Sequence, residues 1–333
     1  MRAYVVRQLV QLVVVVIGIS VLSFCILHVL GDPVLLLLPQ NAGKEEFERY
    51  RKLLGLDQPM PVQYWKFASR AVHGDFGKSW YSDTPAFGLV LERMPPTLYL
   101  TLAGLCVALI IALPLGFIAA LRRHSVVDNA CTVVAVAGQA MPIFWLGIMA
   151  LLIFYAKLDW LPGPGRLDFG YEDIVTPVTG IMTIDTLIAG ETDLFWNAVA
   201  HLILPASLLG YYSLAYISRM TRSLMLSQLR QEYVLTARVK GVPERRIIWK
   251  HAMGNVMVPL LTVVALSYGN LLEGSVLTET VFAWHGIGLY ITDSIFGQDL
   301  PAVMGGTIVV GFVYIIINTL TDLAYRFLDP RAR

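Results

Sequence analysis

The sequence is short of charge. Of its 333 residues only 15% are charged, whereas 56% are hydrophobic and the mean hydropathy is +0.63. A soluble domain carries about 25% charged residues, so too few water-facing side chains are present to cover a soluble particle. No excess of either sign advertises a nucleic-acid partner, because 25 Lys and Arg stand against 24 Asp and Glu. Cysteine is scarce: Cys25, Cys106 and Cys131 sit in apolar runs without CxxC spacing, which excludes a disulfide scaffold and an ordinary cysteine zinc site. There is no low-complexity tract and no clear tandem repeat. What remains is a composition typical of an integral membrane protein.

A helix crossing the hydrocarbon core needs roughly 20 mostly apolar residues. Six stretches qualify, Leu9–Leu30, Thr97–Leu121, Thr132–Tyr155, Val199–Ile217, Val256–Leu277 and Ala302–Leu320, and none contains Lys or Arg. Inside lipid each backbone N–H and C=O must be satisfied within the segment, which for such runs means a helix. The alternative for the first stretch is a secretory signal, since Arg2 and Arg7 precede it. Its length exceeds the usual h-region of roughly 7–15 residues and no small-x-small site follows. An uncleaved anchor is expected.

Basic residues are segregated along the chain. Arg2 and Arg7, Arg122 and Arg123, the link from Arg219 to Lys250, and the tail with Arg326, Arg331 and Arg333 hold fifteen between them. The opposite side holds Lys157 and Arg166 in the segment 156–198 and none between Thr278 and Pro301. Gly31–Pro96 has equal numbers of acids and bases and is long enough for the rule to lose force. The positive-inside rule therefore puts both termini in the cytoplasm, as an even number of spans requires. Gly31–Pro96 mixes a helical charge pattern (Lys44–Leu54) with Gly and Pro punctuation, and it reads as a small external cap. Tyr64, Trp65, Trp80 and Tyr81 suit a membrane interface. The expected organisation is an anchor helix over 1–30, an external segment over 31–96, and a five-helix core over 97–330 that contains a cytoplasmic loop at 218–255.

Catalytic signals are weak. Gly77-Lys78-Ser79 looks like the end of a phosphate-binding loop, but the pattern needs glycine where Val72 stands, and a preceding strand. The six histidines are scattered without i,i+4 pairs, and Ser207 and His201 are six residues apart on one helix. No metal or cofactor is expected in this chain, and no energy source of its own. Six helices without an inverted repeat argue against a self-contained secondary carrier. Intramembrane polar groups are expensive and default to functional hypotheses: Gln139 and Glu273 either line a polar cavity or, for Glu273, reach the external interface. Met141-Pro142 and Leu113-Pro114 should kink their helices. Gly305, Gly306 and Gly311 permit close packing.

The basic cytoplasmic loop is the strongest local signal. Gln231–Lys240 can form a short helix with Tyr233, Ala237 and Lys240 along one face, stopped by Gly241 and Pro243. Such a helix suits insertion into a groove of another protein. It equally suits a basic hairpin lying on anionic headgroups, at about 1 kcal/mol per Lys or Arg.

The stretch Glu232-Tyr233-Val234-Leu235-Thr236-Ala237-Arg238-Val239-Lys240-Gly241, followed by His251, Asn255 and Pro259, resembles the signature loop of binding-protein-dependent ABC importer permeases of the dipeptide/oligopeptide/nickel branch. The likeness extends through Gly31-Asp32-Pro33, Leu54-Gly55-Leu56-Asp57-Gln58-Pro59, Gly74-Asp75-Phe76-Gly77, Met141-Pro142-Ile143-Phe144-Trp145, Ile203-Leu204-Pro205, Thr278-Glu279-Thr280-Val281-Phe282 and Asp329-Pro330-Arg331. Of the wider superfamily's Glu-Ala-Ala triplet only Ala237 survives, which speaks against a sugar permease. The resemblance implies an all-α type I importer permease with six transmembrane helices in a bacterial inner membrane. It implies no catalytic residue here, with ATP and Mg held by two partner ATPases, and further partners in a second permease subunit and a periplasmic solute-binding protein. Glu232, Tyr233, Thr236, Ala237, Arg238, Lys240, Gly241 and Arg245 would couple the chain to an ATPase, and Gln139, Met141 and Glu273 would line the pathway. Di- or oligopeptides lead as cargo, with nickel chelates, glutathione or opine-like solutes in the same branch. An ion-coupled carrier or a membrane scaffold are the rival classes.

Overall fold

The computed structural model describes residue 10 and residues 13–25, 34–38, 42–123, 125–171 and 174–328. Among the described residues no strand occurs, only one antiparallel bridge between Lys78 and Pro85. The helices are α1 (Val13–Cys25), α2 (Val34–Leu37), α3 (Lys44–Leu53), α4 (Met60–Ala71), α5 (Ala86–Leu121), α6 (Val126–Ala140), α7 (Ile143–Lys157), α8 (Met182–Ile188), α9 (Thr192–Leu229), α10 (Glu232–Val239), α11 (Glu244–Val281), α12 (Ile287–Phe296) and α13 (Leu300–Leu328).

Four of these are long and apolar enough to cross a membrane: α5, α9, α11, and α13 over Leu300–Leu320. The first expected span is described only over Val13–Cys25; its remaining residues lie outside the described ones. The third is corrected. Met141 is extended (φ −101°, ψ 139°), so the expected kinked helix is two helices meeting at Pro142, which caps α7. A residue before proline is pushed out of the helical region, and proline has no N–H to continue the ladder. The fourth and fifth spans are segments of longer helices: α9 and α11 each run 38 residues, about 57 Å. Arg219 and Arg222, expected in a loop, stand on the last turns of α9.

Contacts divide the chain into two units, Met1–Pro96 with His285–Ile315, and Thr97–Trp284 with Ile316–Arg333. In the first, Phe24, Phe67, Phe76, Ala86 and Met304 form one core cluster and Val90, Ile287, Ile291 and Val309 another. Tyr64 ties α4 to α1, with its ring edge-on to Phe24 and its hydroxyl 2.8 Å from Ser20 Oγ. Asp299 joins the turn after Lys78 to the start of α13: it accepts from Ser79 Oγ (2.5 Å) and the Trp80 N–H (3.1 Å), and from the Ala302 N–H (3.3 Å) as a helix cap. Lys78 meanwhile pairs with the exposed Asp83 at 3.3 Å and is the bridge residue facing Pro85, so Gly77-Lys78-Ser79 is extended chain leading into a turn. Gly306 and Gly311 lie against Ile291 and Ile19, closer than a Cβ would allow.

The second unit is built on α5, α9 and α11. Leu100, Leu209, Ile217 and Leu271 are fully buried in its main cluster, and Phe117, Met225, Val256 and Leu260 close its other end. Leu102, Ile110, Ile203, Leu261 and Leu266 are exposed on the same helices, as expected where lipid is the solvent. Small residues set the helix separation. A Cβ on Gly104 would stand 2.7 Å from Leu209 Cβ, and one on Gly116 would stand 2.7 Å from both the Ser218 carbonyl and Thr221 Cβ. In lipid, such backbone approach replaces the hydrophobic drive of water. Gly116→Val should therefore lower the melting temperature of the purified chain by several degrees, the effect of about 1–3 kcal/mol of overpacking. Gly254→Ala, with no atom within 4 Å of the added carbon, should leave it unchanged or raised; equal melting of wild type and Gly116→Val would contradict this account.

Candidate functional site

The turn after α9 forms a small structure of its own. Helix α10 begins after Gln231 and ends at Gly241, whose φ of +75° lies in the left-handed region. That conformation costs an L-residue roughly 1–2 kcal/mol, and it is where glycine ends helices. Pro243, extended at ψ 137°, starts α11. Arg238 closes the turn by donating from Nε to Glu244 Oε1 (2.6 Å) and from Nη2 to Oε2 (3.4 Å). This bond, reinforced by the nearby negative charge, holds the Arg238 guanidinium above its ordinary pKa. Both groups are exposed, so the pair shapes the turn more than it stabilises the chain.

Val234 is wholly buried and roots the helix, while Tyr233 and Ala237 are half-buried; the Tyr233 hydroxyl donates to Gln228 Oε1 at 3.0 Å. Glu232, Thr236, Lys240, Gly241 and Arg245 are exposed. Leu235 and Val239, one turn apart, are 62% and 82% exposed. Sequence reasoning did not single them out, although their i,i+4 spacing on a helix outside the apolar runs was readable. Behind α10 the helix α11 opens with a π-helical turn over Ile247–Ala252, whose Ile247 and Ala252 are buried.

The expected pathway residues belong to α6, to the α6–α7 break and to α11. Met141 is 40% exposed at the α6–α7 break. Glu273 is exposed on α11 and makes no hydrogen bond or ion pair among the described residues. Gln139 belongs to α6, but its side chain lies outside the described ones.

Two buried polar pairs were missed. Glu279, fully buried on the last turn of α11, accepts from Thr97 Oγ1 at 2.6 Å. Thr101, also fully buried, donates to the Thr97 carbonyl at 2.8 Å, and its Oγ1 is 3.3 Å from the Tyr268 hydroxyl. The acid stands just past the apolar run, so it reads as external until the helix is seen to continue through it. Asp128 on α6 accepts a bidentate fork from Arg222 on α9, at 2.8 and 2.7 Å. Charge-assisted bidentate pairs are the strong ones, and nothing in the local sequence announces a partner 94 positions away.

A helical membrane bundle with a tethered exposed hairpin and, among the described residues, no metal-binding cluster fits several kinds of membrane protein. Residues 1–101 match the N-terminal model, and residues 112–333 the main model, of the binding-protein-dependent transport system inner membrane component. The chain belongs to this family. It is 42% identical to the probable D,D-dipeptide transport system permease DdpB of Escherichia coli K12, over 96% of this chain and 94% of that one. It is 38% identical to the dipeptide permease DppB of Alkalihalophilus pseudofirmus over the whole of both chains, and 39% identical to DppB of E. coli K12 over 100% and 99%. Among solved structures it resembles a chain of the inward-facing MetNI methionine ABC transporter, with a TM-score of 0.52 at 15% identity over 72% of this chain and 96% of that one. That likeness supports the type I importer permease fold. The chain is thus a membrane permease subunit of an ABC importer, not an enzyme, and works within a binding-protein-dependent system.

The missed carboxylate gives a test of the bundle. Thr97→Val removes a donor from a buried anion and should cost about 1–3 kcal/mol, seen as a lower melting temperature, whereas Thr97→Ser should keep wild-type stability. Equal melting of all three would show that the contact contributes nothing.

Proposed function

We propose that this chain is one of two membrane subunits of an ATP-driven importer that takes up di- or oligopeptides delivered by a periplasmic binding protein. Relatives that match over almost the whole length are named for dipeptide transport, and a more distant one for oligopeptide transport. The chain crosses the inner membrane six times with both termini cytoplasmic, as the fifteen-to-two segregation of basic residues favours. The α6–α7 pair and α1 complete the six crossings beside the four long helices.

Residues Glu232–Arg245 form the coupling element. The observation that carries this reading is the exposed pair Leu235 and Val239 on a short helix rooted by buried Val234. Large apolar side chains displayed at i and i+4 on a water-facing helix are the usual anchors for a groove in a partner. On this reading Tyr233, Ala237 and Gly241 fix the helix and its stop, while Glu232, Thr236, Lys240 and Arg245 present polar edges around the anchors. Two ATPase subunits bind ATP and Mg and draw this element toward its counterpart on the second permease. The energy enters as a rigid-body motion at an interface. Gln139, Met141 and Glu273 are the pathway candidates, and the external segment 31–96 receives the binding protein.

Reconstitution of the chain with its partner subunits and binding protein tests the function directly: dipeptide uptake should require ATP. Uptake by this chain alone, driven by an ion gradient, would overturn the reading. Gly241→Val should abolish uptake while membrane insertion stays normal, and full uptake by that variant would remove the coupling role. The double substitution Leu235→Ser with Val239→Ser should release the ATPases during purification; unchanged co-purification would show that the anchors are misassigned.

A further inference from the structure

A charged groove lies just beyond the coupling element. Pro243, Arg245, Arg246 and Trp249 line an open cavity of about 640 Å³. The exposed anchors of α10, Leu235 and Val239, are not part of its lining.

The charges around it differ in their state. Arg222 is held by Asp128 and Arg238 by Glu244, but the side chains of Arg245, Arg246 and Lys250 make no hydrogen bond or ion pair among the described residues. All three are exposed. The groove therefore presents positive charge without an internal counter-ion.

Its depth is fixed by Trp249. That side chain is 56% exposed, yet its ring centroid lies 6.4 Å from that of the buried Phe117. Phe117 stands four residues before α5 ends at Leu121, about 6 Å along the axis, and the exposed Arg122 and Arg123 follow at once. Trp249 thus sits where an apolar helix gives way to charge, the level at which tryptophan concentrates in bilayers. Ile118 and Leu121, on the same end of α5, are exposed and apolar.

We propose that this groove binds the phosphate-bearing head group of an anionic phospholipid of the inner leaflet. Arg246 supplies the guanidinium fork, since a planar fork matches phosphate oxygens. Trp249 packs against the glycerol region, and the acyl chains lie against Ile118 and Leu121. Arginine, an interfacial tryptophan and a lipid-facing apolar helix end answer the three parts of such a lipid. The proposal rests on the cytoplasmic orientation of α10 given above.

The importer complex, purified in detergent and analysed by native mass spectrometry after exchange into phosphatidylglycerol or phosphatidylcholine, supplies the test. The wild type should retain phosphatidylglycerol preferentially, and Arg246→Gln with Trp249→Ala should weaken that retention about fivefold for the charge lost, with ATPase co-purification intact. Equal retention of the two lipids by the wild type overturns the proposal, as does a variant that keeps wild-type retention. A variant that loses its ATPases but keeps phosphatidylglycerol assigns the groove to the ATPase and also overturns it. Should the variant fold poorly, fluorescence decides: head-group-proximal bromolipid should quench the wild type more as phosphatidylglycerol than as phosphatidylcholine, and the excess should vanish in Trp249→Phe. Equal quenching refutes the site. Labelling of Lys240→Cys by an impermeant maleimide from outside would overturn the orientation and the inner-leaflet site with it, whereas equal lipid retention overturns the site and leaves the orientation standing, so the two failures are told apart.

Discussion

Hydrocarbon offers no hydrogen-bonding partner, and that single constraint organises this molecule. A backbone amide left open there costs several kcal/mol, so long apolar runs become helices and breaks need special chemistry. The break at Met141 and Pro142 fits this demand, because proline has no N–H to leave open and starts the next helix. The same constraint governs side chains. Glu279 is fully buried and receives the Thr97 hydroxyl, and Asp128 receives a bidentate arginine fork. Burial of a carboxylate is tolerable only with such donors.

Because lipid is as apolar as leucine, helices in it are held by fit rather than by exclusion from water. Glycine at 104 and 116 lets α5 approach the Leu209 and Ser218–Thr221 surfaces of α9 closer than any Cβ permits. A contact of that kind has one geometry. It makes α5 and α9 a stiff pair, to which α6 is added by the Asp128–Arg222 fork. Under the proposed coupling, in which the subunit is pushed at its hairpin, stiffness matters because a soft bundle would absorb the push locally.

The sequence made some of this legible and hid the rest for physical reasons. Apolar runs without Lys or Arg mark α5, α9, α11 and α13 because membrane helices must satisfy their own backbones. Gly241 and Pro243 announced the end of α10 because each has a local backbone requirement. The split at Met141 was anticipated only as a kink, since proline permits either outcome and the neighbouring packing decides. Glu279 was hidden because α11 outlasts its apolar run by one turn. The Asp128–Arg222 pair was hidden because long-range pairing has no local signature. Leu235 and Val239 were visible as residues, but which face of α10 turns inward depends on Val234 finding a buried seat.

The continuity of α11 gives the proposed coupling a mechanical form. One helix of 38 residues runs from Glu244, which Arg238 clamps at the hairpin, to Val281, two residues beyond the buried Glu279. A displacement of the hairpin would act on the start of that helix, and the fixed hydrogen bonds of its backbone would carry it along the length. Pro259 leaves a gap in that ladder because proline has no N–H, and the π-helical turn at Ile247–Ala252 is a second point of lower regularity. Its inner face is nevertheless packed, with Ile247 and Ala252 both fully buried. Such a turn can adjust its twist while keeping its seat, so a push from the hairpin would reach α11 chiefly as rotation and tilt. In this form a clamp at one end and a satisfied buried carboxylate near the other make a single helix the connection between the hairpin and the far end of the bundle.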